Sequence, residues 1–220
     1  MKKERTLLED FVILLLHPEK GRLMAQGNTL AQAVAIAALT GLLQEEILVV
    51  GEGRVRAKGM RLTGNKVYDV ILRKIHYADK PRSFRYWTRK FYFSGGRFLK
   101  DTLCQLVQKN ILYERERSFL NVFSYKTYFP VKNGTRRDLL RWLQPVVYGE
   151  EPPDLRAAVL LQLLDSCNLG RVVVRKRADL RMFRKKIKMF RQDRKIMGEY
   201  ADFLKEVKKA AAVSEAVPGV

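Results

Sequence analysis

Between Arg171 and Lys195, twelve of twenty-five residues are Lys or Arg, and only Asp179 and Asp193 are acidic. Cations at that density repel one another unless they are solvated or matched by an anion such as phosphate. Leu180, Phe183, Ile187 and Phe190 recur within the run at spacings of three and four, with Arg181, Arg184, Lys185, Lys188 and Arg191 on the other face. This spacing predicts an amphipathic basic helix, its stripe on the core and its cations facing water or an anionic surface. A second segment interleaves Arg82, Arg85, Arg89 and Lys90 with Phe84, Tyr86, Trp87, Phe91, Tyr92 and Phe93. That mixture offers phosphate contacts beside stacking surfaces, a pattern suited to nucleic acid. The whole chain carries 43 basic and 23 acidic residues, a formal net charge of +20, so nucleic acid and an anionic lipid surface are the two partner classes that fit.

Bond-making chemistry has no comparable signature. The two histidines, His17 and His76, lie in different segments, and no HExxH, GxSxG elbow, P-loop or GxGxxG follows a strand. Adjacent carboxylates at Glu9-Asp10, Glu45-Glu46 and Glu150-Glu151 are accounted for by caps and solvated faces. Cys104 and Cys167 lie in apolar stretches without a CxxC pair, which predicts small core residues in a reducing compartment rather than a disulfide or zinc framework. No catalytic residue, metal or cofactor is expected. An enzyme acting on a polyanionic substrate would need a nucleophile or acid–base pair that this chain does not display.

The elements that must carry these groups predict a mainly α protein: one globular helical domain over residues 1–212, with a few short β-hairpins, one of them protruding, and a disordered tail at 213–220. Thr6 and Glu9 stand in capping-box spacing before a helix to Leu16, stopped at His17-Pro18. Leu23 to Gln44 holds no charge over 22 residues, yet its amides, threonines and many alanines make it a buried helix rather than a membrane span; Asn28 is its expected cap and Gly41 its end. Glu9 and Asp10 likewise interrupt the apolar stretch that a secretory signal would need. Strands are expected at Gln44 to Val50 and Val55 to Leu62, and helices at Lys66 to His76 and Arg97 to Lys109. Two further strands, Tyr113 to Glu116 and Phe119 to Thr127, are expected to turn at Arg117-Ser118. Helices over Arg136 to Val147, Asp154 to Asn168, Leu180 to Gln192 and Lys195 to Ala211 complete the chain.

Taken in order, five short motifs resemble the Golgi phosphoprotein 3 family. They are Thr6-Leu7-Leu8-Glu9-Asp10-Phe11-Val12-Ile13-Leu14-Leu15; Leu30 to Gln44 with Ala38-Leu39-Thr40-Gly41-Leu42-Leu43; Thr63-Gly64-Asn65 with Asp69 and Leu72; Leu103 to Leu112 with Val107-Gln108-Lys109-Asn110; and Asp154-Leu155-Arg156. The resemblance implies a non-catalytic peripheral membrane protein that recognises phosphatidylinositol 4-phosphate, and whose Golgi members hold cytosolic tails of membrane proteins. It implies a cytoplasmic location against a membrane, at the Golgi face in a eukaryote. A gapless match puts two family headgroup positions on Arg97 and Lys100, three apart on one helical face behind Gly95-Gly96, where free backbone N–H groups and the helix dipole favour an anion. The family's Trp position falls on Arg22 and its Arg position on Ala31, so the aromatic wall is missing and Arg22 replaces some of its charge. The chain is therefore expected to be a bare-domain member without the Golgi proteins' N-terminal extension, whose headgroup differs or is any anionic lipid.

A second membrane contact is expected at Tyr128-Phe129-Pro130-Val131, read as an apolar hairpin tip between Lys126 and Lys132 with Arg136 and Arg137 nearby. Tyr128, Phe129 and Val131 would enter the acyl boundary while the cations stay among headgroups. The alternative is a loop packed back on its own domain.

Overall fold

The structure is a computed structural model that describes residues 5–119, 123–131 and 134–192. Two helices with apolar residues on every side occupy its centre, because an all-round apolar helix must be surrounded by other elements. The first, α1 (Leu7–Leu15), has every residue buried, and its capping box closes as expected: Glu9 N donates to Thr6 Oγ1 and Thr6 N to the Glu9 carboxylate. The second, α2 (Gly27–Gln44), is buried from Ala33 to Leu43. It starts before the expected cap Asn28, with Gly27 at φ 75° turning the chain into the helix after Gln26. Gly41 is not a stop. It lies within α2 because the Tyr68 hydroxyl occupies the space where a side chain would project.

Because α2 runs on to Gln44, the first hairpin is shorter than expected, with β1 (Leu48–Gly51) paired antiparallel to β2 (Arg54–Ala57). Asn65 accepts from Val67 N and Tyr68 N to cap α3 (Lys66–His76). The two-residue β3 (Arg82–Ser83) adds to β2 and leads into α4 (Phe84–Tyr92) and α5 (Gly95–Gln108). The protruding ribbon follows: β4 (Leu112–Phe119) and β5 (Phe123–Pro130) pair from Leu112↔Pro130 to Phe119↔Phe123. The remaining helices are α6 (Gly134–Tyr148), α7 (Leu155–Ser166) and α8 (Leu180–Gln192).

The domain is mainly α with two small antiparallel sheets, as the sequence predicts. Helices α3, α4 and α5 pack on α2, α7 packs on α1 and α2, and α8 packs on α6 and α7. No helix among the described residues is long and apolar enough to cross a membrane. The helix expected over Lys195 to Ala211 and the tail at 213–220 lie outside the described residues.

Candidate anionic-surface site

Ser83 caps α4 by accepting from Tyr86 N, and the spacing of Phe84, Trp87 and Phe91 turns those rings inward. Trp87 stacks on Phe91 at 5.6 Å, and Phe91 meets Phe98 of α5 at 5.9 Å. The aromatic surface expected for base stacking is thus largely spent on the core. Of the outward rings, Tyr86 already carries the Arg82 guanidinium 5.0 Å and the Lys90 ammonium 5.7 Å from its centroid.

A two-residue corner, Phe93-Ser94, joins α4 to α5. Both residues keep near-helical backbone, Ser94 N donates to Phe91 O at 2.9 Å and Phe98 N to Ser94 O at 2.8 Å. Helix α5 begins at Gly95, two residues before the expected start, because Gly95 lies directly on the α2 backbone. A Cβ there would come within 2.6 Å of Ala31 Cα and 2.7 Å of Ala31 C, whereas one on Gly96 would meet nothing. Ser94 makes no side-chain cap, so no side chain at the cap accepts from the first N–H groups of α5.

Arg97 in that first turn and Lys100 one turn later are both exposed on the outer face of α5. Arg97 is 74% exposed and its Nε lies 3.7 Å from Asp101, a carboxylate that Lys66 holds more closely at 2.8 Å. Lys100 is exposed and has no acidic partner among the described residues. Residues 81–100 carry six cations and no carboxylate. Arg22 is exposed too, but it belongs to a different neighbourhood. Its loop is tied to α1 by the Leu16↔Leu23 bridge and the His17 N to Arg22 O bond, and to the base of the ribbon by Tyr128 N donating to Gly21 O.

The expected membrane-inserting tip is a correction. Tyr128, Phe129 and Pro130 end β5 beside Leu112, at the base of the ribbon, and Tyr128 and Phe129 are 9% and 8% exposed. Phe129 fills the space over Gly21 and stacks on Tyr113 at 5.5 Å, while Val131, 38% exposed, is held by its N–H to Ile111 O. Burial and the Glu114 carboxylate push the Tyr128 hydroxyl up to about 12. The turn expected at Arg117-Ser118 falls further on because the charged stretch Glu114 to Arg117 is itself strand. A solvated ribbon tolerates it, and Lys126 donates across to Glu114 at 2.7 Å, lowering that carboxyl below its ordinary range. Arg136, expected among headgroups, instead turns inward. Its Nη1 donates to the carbonyls of Ile13, Leu14 and Leu16, closing the end of α1, and its burial lowers its pKa. Cys104 is exposed rather than core, being off the Phe98, Leu99, Thr102, Leu103, Leu106 stripe, and Cys167 is half-buried.

Sequence reasoning missed Phe93, which is 88% exposed at the corner beside Arg97. The signal was its place two residues beyond Phe91, off the inward stripe of α4. The basic helix α8 is where it was expected, with Phe183, Ile187 and Phe190 buried and Arg181, Arg184, Lys185 and Lys188 exposed, but it packs on α6 and α7.

The motifs that carried the resemblance meet in space. Lys109 donates to the fully buried Glu9 at 2.5 Å, and Asp10 is held by Arg156 at 2.7 Å and Arg5 at 2.6 Å. Thr63 donates to Asp69 through both its N–H, at 2.7 Å, and its hydroxyl, at 2.8 Å. Lys109 and Arg156 fasten the ends of α5 and α7 to α1, and Thr63 closes the start of α3. Among curated proteins no match was found. The family model described as Golgi phosphoprotein 3 (GPP34) matches residues 7–217, nearly the whole chain, and the protein belongs to that family.

Proposed function

We propose that the protein is a non-catalytic peripheral adaptor that docks reversibly on anionic membranes, with the head of α5 receiving a phosphorylated or otherwise anionic lipid headgroup. The observation that carries this reading is the exposed pair Arg97 and Lys100 on the first two turns of a fourteen-residue helix, within twenty residues that hold six cations and no carboxylate. Helix N–H groups and side-chain cations converge there on any bound phosphate. Cytosolic tails of membrane proteins are the cargo class that family membership supports. Each cation near an anionic leaflet contributes on the order of 1 kcal/mol.

Vesicle co-sedimentation tests the reading. Wild-type protein should partition onto vesicles containing phosphatidylinositol 4-phosphate or phosphatidylserine in preference to neutral phosphatidylcholine, less so at high salt. The Arg97→Ala/Lys100→Ala variant should lose roughly thirtyfold in partition, two charges at about 1 kcal/mol each. Equal partition of wild type onto neutral and anionic vesicles would overturn it.

A further inference from the structure

Helix α4 presents an outer face of one charge sign. Arg85, Tyr86, Arg89 and Lys90 are exposed opposite the buried Phe84, Trp87, Thr88 and Phe91, Arg82 precedes them, and Phe93 projects at the corner into α5. An exposed phenylalanine is costly in water, and single ones need no explanation by themselves. This one is held rigidly, however. The Ser94 and Phe98 hydrogen bonds fix the corner, and Tyr92 meets its ring edge-on at 5.1 Å. It stands four residues from Arg97, with no acidic residue between Pro81 and Lys100. Long cations that keep their charge in the headgroups around an aromatic that enters the acyl boundary make up the arrangement of an interfacial helix.

We infer that the outer face of α4 lies on the anionic bilayer, with Phe93 inserted at the acyl boundary and Arg82, Arg89 and Lys90 among the headgroups. The inference rests on the membrane reading above and adds an apolar anchor and an orientation to it. The favoured occupant is a bilayer rather than nucleic acid. Single-stranded nucleic acid needs successive free ring faces, and here Phe84, Trp87 and Phe91 are buried while Tyr86 already carries Arg82 and Lys90. Phe93 and the half-buried Tyr92, set edge-on to it, remain, which suffices for a wedge but not for a stacking track.

The test uses the full chain and vesicles of phosphatidylcholine with about one-third phosphatidylserine. Complete burial of a phenylalanine side chain strengthens partition by roughly 10- to 150-fold, so a partly inserted Phe93 predicts roughly a tenfold loss of partition for Phe93→Ala. Its salt dependence should stay unchanged, while Arg89→Ala/Lys90→Ala flattens that dependence. A Phe93→Trp variant should bind at least as well as wild type, and its added emission should shift to the blue on vesicles. Trp87 and Trp142, the two tryptophans of the wild type, set the background. If wild type binds anionic vesicles but Phe93→Ala binds equally well and the new tryptophan stays in water, this inference falls and the headgroup reading survives. If wild type ignores anionic vesicles, the headgroup reading falls with it. A mobility shift with single-stranded DNA that Phe93→Ala abolishes, without vesicle binding, would assign the surface to nucleic acid and overturn both.

Discussion

Gly95 and Gly96 are neighbours in one helical turn, yet replacing each by alanine should move stability in opposite directions. In a helix, alanine is favoured over glycine by up to about 1 kcal/mol. At Gly96 nothing lies within reach of the added methyl, so that gain is available and Gly96→Ala should be neutral to stabilising. At Gly95 the methyl would meet the O, Cα and C atoms of Ala31, which are backbone of a central helix and cannot rotate away as a side chain can. Overpacking of this kind costs about 1–3 kcal/mol, so after the propensity gain Gly95→Ala should lose about 1–2 kcal/mol. Urea unfolding at equilibrium reads this as a lower midpoint at unchanged slope, with a fall in Tm of roughly 2–4 °C per kcal/mol for a domain of this size. Any relaxation that separates α5 from α2 would also displace Arg97 and Lys100, so vesicle partition should weaken in Gly95→Ala alone. The packing argument fails if Gly95→Ala is as stable as wild type, or if the two variants shift the midpoint the same way.

Three further outcomes follow from other contacts. Asp101→Asn removes the carboxylate that Lys66 and Arg97 share; partition onto anionic vesicles should rise about fivefold, one charge at about 1 kcal/mol, and unchanged binding would show that Arg97 takes no part. Arg136→Ala strips the donor from three carbonyls at the end of α1 and should cost about 2–3 kcal/mol in urea unfolding, whereas Arg136→Lys, whose ammonium ends one bond short of the Nη1 position, should recover only part of it. A maleimide should label Cys104 in the native protein and Cys167 only on unfolding, because burial pushes the Cys167 thiol up to about 12 and cuts its thiolate fraction about a thousandfold. By the same linkage the Cys167 contribution to stability is complete below about pH 9 and is lost as pH rises toward 12; rapid native labelling of both thiols would contradict this.

The helices were legible wherever a local rule decided them. The Thr6–Glu9 box started α1 because its signal acts within one turn. The spacing of Leu180, Phe183, Ile187 and Phe190 located α8 without help from the rest of the chain. What escaped the sequence was decided between elements. Gly41 and Gly95 read as breaks, but each is a close approach, to Tyr68 and to Ala31, visible only once α3 and α5 are laid on α2. Tyr128 to Val131 read as a tip because they follow a charged stretch and precede Asn133-Gly134. In a two-stranded ribbon the register decides which end is the tip, and the ring of Phe129 over Gly21 fixes that end as the base. The cationic pair of the candidate site was legible, whereas Phe93 was hidden by its aromatic neighbours until their inward faces were known.

The total charge also misleads unless it is placed. The densest basic run, on α8, is separated from α4 and α5 by α2 and α7, and two helices of about 10 Å diameter exceed the Debye length of about 8 Å at physiological salt. A bilayer lying on α4 and the head of α5 therefore feels the α8 cations only weakly, although they contribute as much to the net charge. Two quadruple alanine variants make this measurable. Arg89, Lys90, Arg97 and Lys100 in one, and Arg181, Arg184, Lys185 and Lys188 in the other, remove the same four charges from opposite flanks of the central helices. At about 0.15 M salt the first should abolish partition onto anionic vesicles and the second should lower it no more than a few-fold, the gap narrowing as salt is reduced and screening lengthens. Equal losses would mean that the membrane senses net charge rather than a face, and the orientation argued from α4, Phe93 and α5 would have to be given up.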